Sequence, residues 1–416
     1  MIENSSLIDE PVSQLGGNNG DLQLLVPADD VSNPELTILI PSKNEELTIG
    51  TFIDWCQEGL RRGNIRGEIL MIDSSDDATA EIALSKGARV LKVPRRGIGR
   101  AYIDSIPFVR GEYVLMGDCD CTYDFRELQP FMEKFRAGYE FVVGSRFRGH
   151  IEKDAMPPLH QYFGTPLTNW LLNVLYGSRF TDIHTGMRGI PLRELRRMDV
   201  QSQSWEYASE MVLKSVQMKL KTTEVPIQFY KDPKGRVSHH KRVGWFSPWQ
   251  AGWINVKAMF VYGADFFLFR PSLLLLLAGL LLTLPLTFGP VAVGPINFSL
   301  YWMLFGLTLS VLGLHGFYLG CLTRIFSDYD GESTRRWLRR FSYTRSVVIS
   351  ALLFLAGVAL AAPLAYQYLH LGLRLPRDVT PLNHLAVTGL LLVIAGCMNF
   401  TFTLVLHAAA GNVKRR

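Results

Sequence analysis

The sequence predicts an α/β domain with a mainly parallel sheet, followed by an α-helical membrane domain of four spans. Two observations carry this. Short β-rich runs alternate with helical spacing through the first half of the chain. From Pro271 to Gly320 there is then no Asp, Glu, Lys or Arg at all. An uncharged stretch of that length suits two bilayer crossings at about 20 residues each.

The chain has 416 residues and a net charge of +5. Much of the positive charge flanks the apolar segments, so it reads as membrane-surface charge and not as a nucleic-acid footprint. Five cysteines are scattered, and Cys119 and Cys121 have no second Cys or His pair at zinc-ligand spacing. Residues 1–34 hold no apolar signal segment and are expected to form a disordered leader.

The strands are expected at Leu36–Ile40, Glu68–Ile72, Arg89–Val93, Tyr113–Met116 and Phe141–Val143, with helical spacing between them, as at Thr51–Leu60 and Ala78–Ser85. Strands alternating with helices give a sheet covered on both faces, and such sheets bind ligands beyond the carboxyl ends of their strands. Polar residues collect there: Pro41-Ser-Lys-Asn44-Glu45, Asp73-Ser-Ser-Asp-Asp77 and Asp118-Cys-Asp120. This domain is expected over 35–230.

Asp118 and Asp120 are delivered one residue apart at a strand end. Two such carboxylates suit a hard divalent cation, Mg2+ or Mn2+, shared with the phosphate oxygens of a nucleotide diphosphate. Arg95-Arg-Gly-Ile-Gly99-Arg100 offers glycines and cations suited to close approach of a diphosphate, although Gly-x-Gly alone is a weak signal. Asp73 is equally readable as a helix cap or as an acceptor for a base or ribose.

Residues 231–270 read as a basic loop, Lys231 to Arg242, followed by amphipathic interfacial helices. Trp245, Trp249 and Trp253 recur every fourth residue there. The membrane domain is expected over 271–416, with spans at about 271–289, 297–321, 346–369 and 384–408. The loop between the second and third spans holds Arg324, Arg335, Arg336, Arg339, Arg340 and Arg345, and the tail holds Lys414, Arg415 and Arg416. The positive-inside rule puts that loop, the 35–230 domain and both termini in the cytosol of an inner-membrane or ER-like protein.

Over about Glu35 to Lys241 these motifs resemble the family 2 glycosyltransferases of the GT-A fold. The nearer likeness is to the polyisoprenyl-phosphate glycosyltransferases, the group that includes dolichol-phosphate mannose synthase. The Pro41…Asn44-Glu45 segment, Asp73, Gly97-Ile-Gly99-Arg100-Ala101, Asp118-Cys-Asp120, Gly144-Ser-Arg146 and Asp182-Ile-His-Thr-Gly-Met-Arg188 match successive family motifs. Ile72 and Thr122 depart from the pattern, and Ser204 replaces the Arg of the processive synthases. The resemblance implies an enzyme. Pro41, Asn44, Glu45, Asp73, Gly99, Arg100 and Asp118 would hold a nucleotide-sugar donor, UDP-hexose or GDP-mannose. Asp118 and Asp120 would hold the metal, and Asp182 would lie near the reacting centre.

A polyprenyl phosphate acceptor, undecaprenyl or dolichyl, is already anionic near neutral pH. Arg146, Arg236 and Lys241 are the cations expected to meet it, and a single displacement would invert the sugar. The rival readings are transfer to a lipid hydroxyl or growing glycan, with Asp182, Glu206 or Glu210 as base, and a non-catalytic nucleotide-sugar sensor or scaffold. The spans could anchor the chain, guide the lipid or build a homo-oligomer.

Overall fold

The computed structural model describes residues 21–233, 235–236, 253, 257, 260–374 and 378–413. The chain divides into two compact units, Met1–Met259 and Phe260–Arg416.

The first unit is built on a sheet of β1 (Gln23–Leu25), β2 (Leu36–Ser42), β3 (Gly67–Asp73), β4 (Arg89–Lys92), β5 (Tyr113–Met116), β6 (Phe141–Ile151), β7 (Arg188–Pro191) and β8 (Thr222–Phe229), in the order β1-β4-β3-β2-β5-β7-β6-β8. β4, β3, β2 and β5 run parallel, as the alternating pattern predicts. Helices α1 (Ile49–Arg62), α2 (Thr79–Ser85), α3 (Ile98–Ser105), α4 (Gln129–Arg136), α5 (Thr165–Tyr176), α6 (Leu192–Met198) and α7 (Tyr207–Gln217) connect or follow the strands. On α1, Phe52, Ile53, Cys56 and Gly59 recur on one face and are all buried. Phe52, Ile53 and Cys56 join Ile38, Ile40 and Leu115 from the sheet in one core, where each buried Ile or Phe contributes roughly 1.5–3 kcal/mol.

Two registers position the site. Ser42 pairs with Asp73 at the ends of β2 and β3, so the loops that follow start side by side. β7 runs antiparallel to β5, with Met116 opposite Arg188. The segment entering β7 therefore arrives where β5 ends, beside Asp118.

The expected leader needs correction. Gln23–Leu25 forms an edge strand antiparallel to β4, and Asp30 pairs with Arg110 at 2.7 Å. Part of 1–34 thus belongs to the domain, while 1–20 lie outside the described residues. The strand at Phe141 also runs on to Ile151, with a register irregularity between Ser145 and His150.

In the second unit, α8 (Ala264–Thr283), α9 (Leu300–Phe326), α11 (Tyr343–His370) and α12 (Pro381–Val413) are each long and apolar enough to cross a membrane, while α10 (Glu332–Arg340) is short and Arg-rich. The first span starts seven residues before its expected edge at Pro271, which lies inside α8. Proline here removes one backbone N–H hydrogen bond without ending the helix, as spanning helices tolerate. The unit boundary moves accordingly, from 271 to Phe260. Glycine seams bring α8 and α9 together: a Cβ on Gly279 would meet the backbone of Ser310, and one on Gly313 that of Leu276. Trp245, Trp249, Lys241 and the basic tail lie outside the described residues; Trp253 is exposed.

Candidate active site

The loops after β2 and β3 are knitted together by their own polar groups. Asp73, almost fully buried, accepts from Ser42 Oγ at 3.0 Å and from Ser75 Oγ at 2.6 Å. Ser75 Oγ in turn accepts from the Asn44 amide at 2.8 Å, and Asn44 Oδ1 accepts from the Asp76 amide at 3.0 Å. Asn44 has a φ of +55°, a left-handed conformation that Asn tolerates better than most residues. The Glu45 amide donates to Thr79 Oγ1 at 3.0 Å. Asn44, Glu45 and Asp73 are thereby fixed as one polar shelf, and the Pro41 carbonyl meets Cys119 Sγ at 3.5 Å.

Asp118 and Asp120 extend this shelf from the end of β5. Burial, then the neighbouring Asp120 charge, push the Asp118 carboxyl up to about 7, against the pull of Arg188, Arg236 and Arg146. Burial also raises Asp120, opposed by Arg236 and by bonds from Thr122, whose amide donates at 3.0 Å and whose hydroxyl at 2.5 Å. Asp118 accepts no hydrogen bond among the described residues, and no third His, Cys, Asp or Glu joins the pair at metal-ligating distance there. A half-buried carboxylate pair, one member of it without a hydrogen-bond donor, fits a divalent cation held by one or two carboxylates and completed by phosphate and water. The thiols of Cys119 and Cys121 are buried, and burial raises both, Cys121 to about 12.

The turn before β7 closes the site. Gly186 lies against Asp118, and a Cβ there would collide with Asp118 Oδ2. Tyr123 Oη accepts from the Gly186 amide at 2.9 Å. Asp182, fully buried, takes three bonds from Arg146: the amide at 3.1 Å, Nε at 2.7 Å and a terminal nitrogen at 2.8 Å. Arg188 is buried over the Tyr207 ring and donates to the carbonyls of Ala208 and Thr185.

Several expected roles shift. Arg146 is committed to Asp182, so neither is a free acceptor cation or a free base. Arg236 grips Glu45 through Nε at 2.7 Å and a terminal nitrogen at 2.8 Å, and stands 3.4 Å from Asp120. It thus stands with Glu45 and Asp120 and not apart from them. Gly97 and Gly99 do permit close backbone approach, but to the chain itself: Cβ atoms there would strike the carbonyls of Gln203 and Ser202. Arg100 sends its amide to Gln203 O at 3.1 Å and its guanidinium to Asp104 at 2.8 Å. Glu210 caps the amides of Gln201 and Ser202 at 2.9 and 2.8 Å and pairs with Lys214 at 2.7 Å, which removes it as a base.

Two supporting residues escaped the sequence reading. Glu224 collects the Thr181 amide at 2.6 Å and the Asp182 amide at 3.2 Å; its only signal is a buried acid within an apolar strand. Asp232 pairs with Arg236 at 2.6 Å, four residues on in the same loop.

The family described as glycosyl transferase family 2 matches residues 37–200, and the C-terminal transmembrane region of family 2 glycosyltransferases matches 321–410. A low-salt glycan biosynthesis hexosyltransferase of Haloferax volcanii is 33% identical over 386 residues, covering 89% of this chain and 90% of the relative. A dolichyl-phosphate hexose transferase of the same organism is 30% identical over 198 residues, covering 47% of this chain and 82% of the relative. Among solved structures, mannosyl-3-phosphoglycerate synthase from Rubrobacter xylanophilus aligns with a TM-score of 0.43 at 23% identity, covering 54% of this chain and 72% of the other.

Proposed function

Because the chain belongs to the family 2 glycosyltransferases, we propose that it moves a hexose from a nucleotide-sugar donor, UDP-hexose or GDP-mannose, onto a polyprenyl phosphate at the cytosolic membrane face. The observation that favours this acceptor is the state of the carboxylates: Asp182 is spent on Arg146, and Glu210 on Lys214 and two amides. A hydroxyl acceptor needs a base poised near the working pH; Asp118, pushed up to about 7, lies in that range but is taken up by the metal in this reading. A phosphate, with a second ionisation near about 6, arrives charged. The relative named as a dolichyl-phosphate hexose transferase supports the same choice.

In this reading the acceptor phosphate oxygen forms the new bond to the anomeric carbon. The old bond breaks with its electron pair leaving on the nucleoside diphosphate, and no proton has to move. One displacement inverts the centre. Asn44 and Asp73 hold the nucleoside end, with the Asp73 carboxylate oriented by Ser42 and Ser75. Asp118 and Asp120 would hold Mg2+ or Mn2+, which when bound neutralises the leaving diphosphate. Arg236 adds positive charge at the same end, and the Arg146–Asp182 pair fixes the floor beneath the sugar.

The Arg-rich segment carrying Arg335, Arg336, Arg339 and Arg340 separates the second and third spans. With an even number of spans, the positive-inside rule supports a cytosolic catalytic unit and cytosolic ends.

The test is purified protein in lipid nanodiscs with each donor, offered polyprenyl phosphate or the matching polyprenol. Transfer to the phosphate alone is expected; equal transfer to the alcohol overturns the acceptor assignment.

A further inference from the structure

The helix that holds the Asp182 turn on one face carries a bare apolar stripe on the other. From Pro158 to Tyr176 there is no Asp, Glu, Lys or Arg, although much of the segment is exposed. Leu159, Tyr162, Phe163, Leu167, Trp170 and Val174 follow one another around a single face, and all six are exposed, Tyr162 at 75% and Trp170 at 61%. The wider π-helical turn His160–Gly164 leads into α5 and keeps the first three on this stripe. A solvated helix puts charge on its outer face; a contiguous aromatic and aliphatic patch without charge marks a contact surface.

The inner face of the helix is tied to the site. Thr165, Asn169 and Leu172 are buried. Asn169 donates to the Thr181 carbonyl and accepts from the Ile183 amide at 3.1 Å, gripping the backbone on both sides of Asp182. Thr168 Oγ1 meets His184 Nε2 at 2.8 Å.

We propose that this stripe seats in the headgroup layer of a lipid bilayer, as a membrane contact made by the catalytic unit itself. Two observations choose lipid over a protein partner. The same chain carries four helices able to cross a membrane, so a bilayer is always within reach of the catalytic unit. The stripe also combines Trp and Tyr with Leu and Phe, the composition favoured at the boundary between headgroups and acyl chains. Because the helix is only about 10 Å across, this contact sets the Asp182–Arg146 pair close beneath the lipid surface. The inference does not depend on the acceptor being a lipid phosphate.

The experiment places a photoreactive benzophenone amino acid at Phe163 or Trp170 of the full chain in phosphatidylcholine–phosphatidylglycerol nanodiscs. Val26, exposed just past the edge strand β1, serves as the control position. Irradiation followed by mass spectrometry should give phospholipid adducts at Phe163 and Trp170 well above those at Val26. Adducts confined to a second copy or to other segments of this chain, or lipid adducts no higher than at Val26, overturn the proposal. Should those variants fail to fold, W170F in bromolipid nanodiscs provides the second readout. It should lose a lipid-quenched part of the tryptophan emission, and an unchanged quenched fraction overturns the proposal.

Discussion

Gly186 lies so close to Asp118 that no side chain fits between them: a Cβ at Gly186 would fall on Asp118 Oδ2. The antiparallel pairing of β7 with β5 forces this meeting, because the residues entering β7 must pass the end of β5. G186A is therefore expected to displace the Asp118 carboxylate while leaving both units folded. A misplacement of about 1 Å costs on the order of 100-fold in turnover. Turnover measured beside circular dichroism checks this, and near-normal turnover in G186A would show that Asp118 placement does not limit the reaction.

Asp120 is held by Thr122 and faces Arg236, whereas Asp118 has no hydrogen-bond donor of its own among the described residues. Both D118N and D120N should abolish the response of transfer to added Mn2+ or Mg2+. Neither should lower the melting temperature, since each change relieves repulsion between two adjacent carboxylates. A metal titration of nucleotide release in each variant is the check, and an unaltered response in both would remove the pair from the metal assignment.

Arg236 grips Glu45 and approaches Asp120, so R236A should act on the donor. The expected outcome is a rise in KM for the nucleotide sugar of roughly tenfold, which corresponds to about 1.4 kcal/mol. The KM for the lipid should change much less. Steady-state kinetics with each substrate varied separate the two, and a selective rise in the lipid KM would return Arg236 to the acceptor side.

His184 is held neutral by burial, its pKa lowered to about 4 although Asp182 pulls the other way; Arg146, Arg188 and His160 add to the lowering. In the unfolded chain the ring takes a proton near pH 6.5. Between those values the unfolded state binds the proton that the folded state refuses, so stability falls as pH drops from about 6.5 toward 4. H184Q should flatten that part of the stability profile, measured as melting temperature against pH. A variant profile as steep as the wild type would assign the acid sensitivity to other groups.

What the sequence made legible follows from range. The polar ends of β2, β3 and β5 were readable because each is a local event, an apolar run stopped by Asp, Asn or Pro. The glycines of Gly97-Ile-Gly99 announced a close backbone approach but not its partner, since Ser202 and Gln203 lie a hundred residues away in sequence. Arg236 stood out as a loop cation, yet besides its loop neighbour Asp232 its carboxylate partners, Glu45 and Asp120, come from β2 and β5 loops that only the fold brings near. Three residues, Gln23–Leu25, are too few to show strand alternation. The edge at 271 was drawn where charge stops, and the helix starts earlier, taking in Asp265 and Arg270. The stripe from Leu159 to Val174 was present as spacing, but spacing does not say whether an apolar face turns inward.

Asp182 and Arg146 form a buried ion pair, with Arg146 also lying over the Phe229 ring at 5.1 Å. Removing one partner leaves a buried charge uncompensated, a loss of about 3–5 kcal/mol. D182A should therefore lose stability as well as transfer, unlike D120N, which should lose transfer alone. R146K should fail to rescue, because an ammonium cannot reproduce the paired bonds from Nε and the terminal nitrogen. Denaturant unfolding of the three variants in one detergent decides the matter. If D182A melts like the wild type while losing all activity, Asp182 contributes to the reaction directly and its pairing with Arg146 is not what keeps the floor of the site in place.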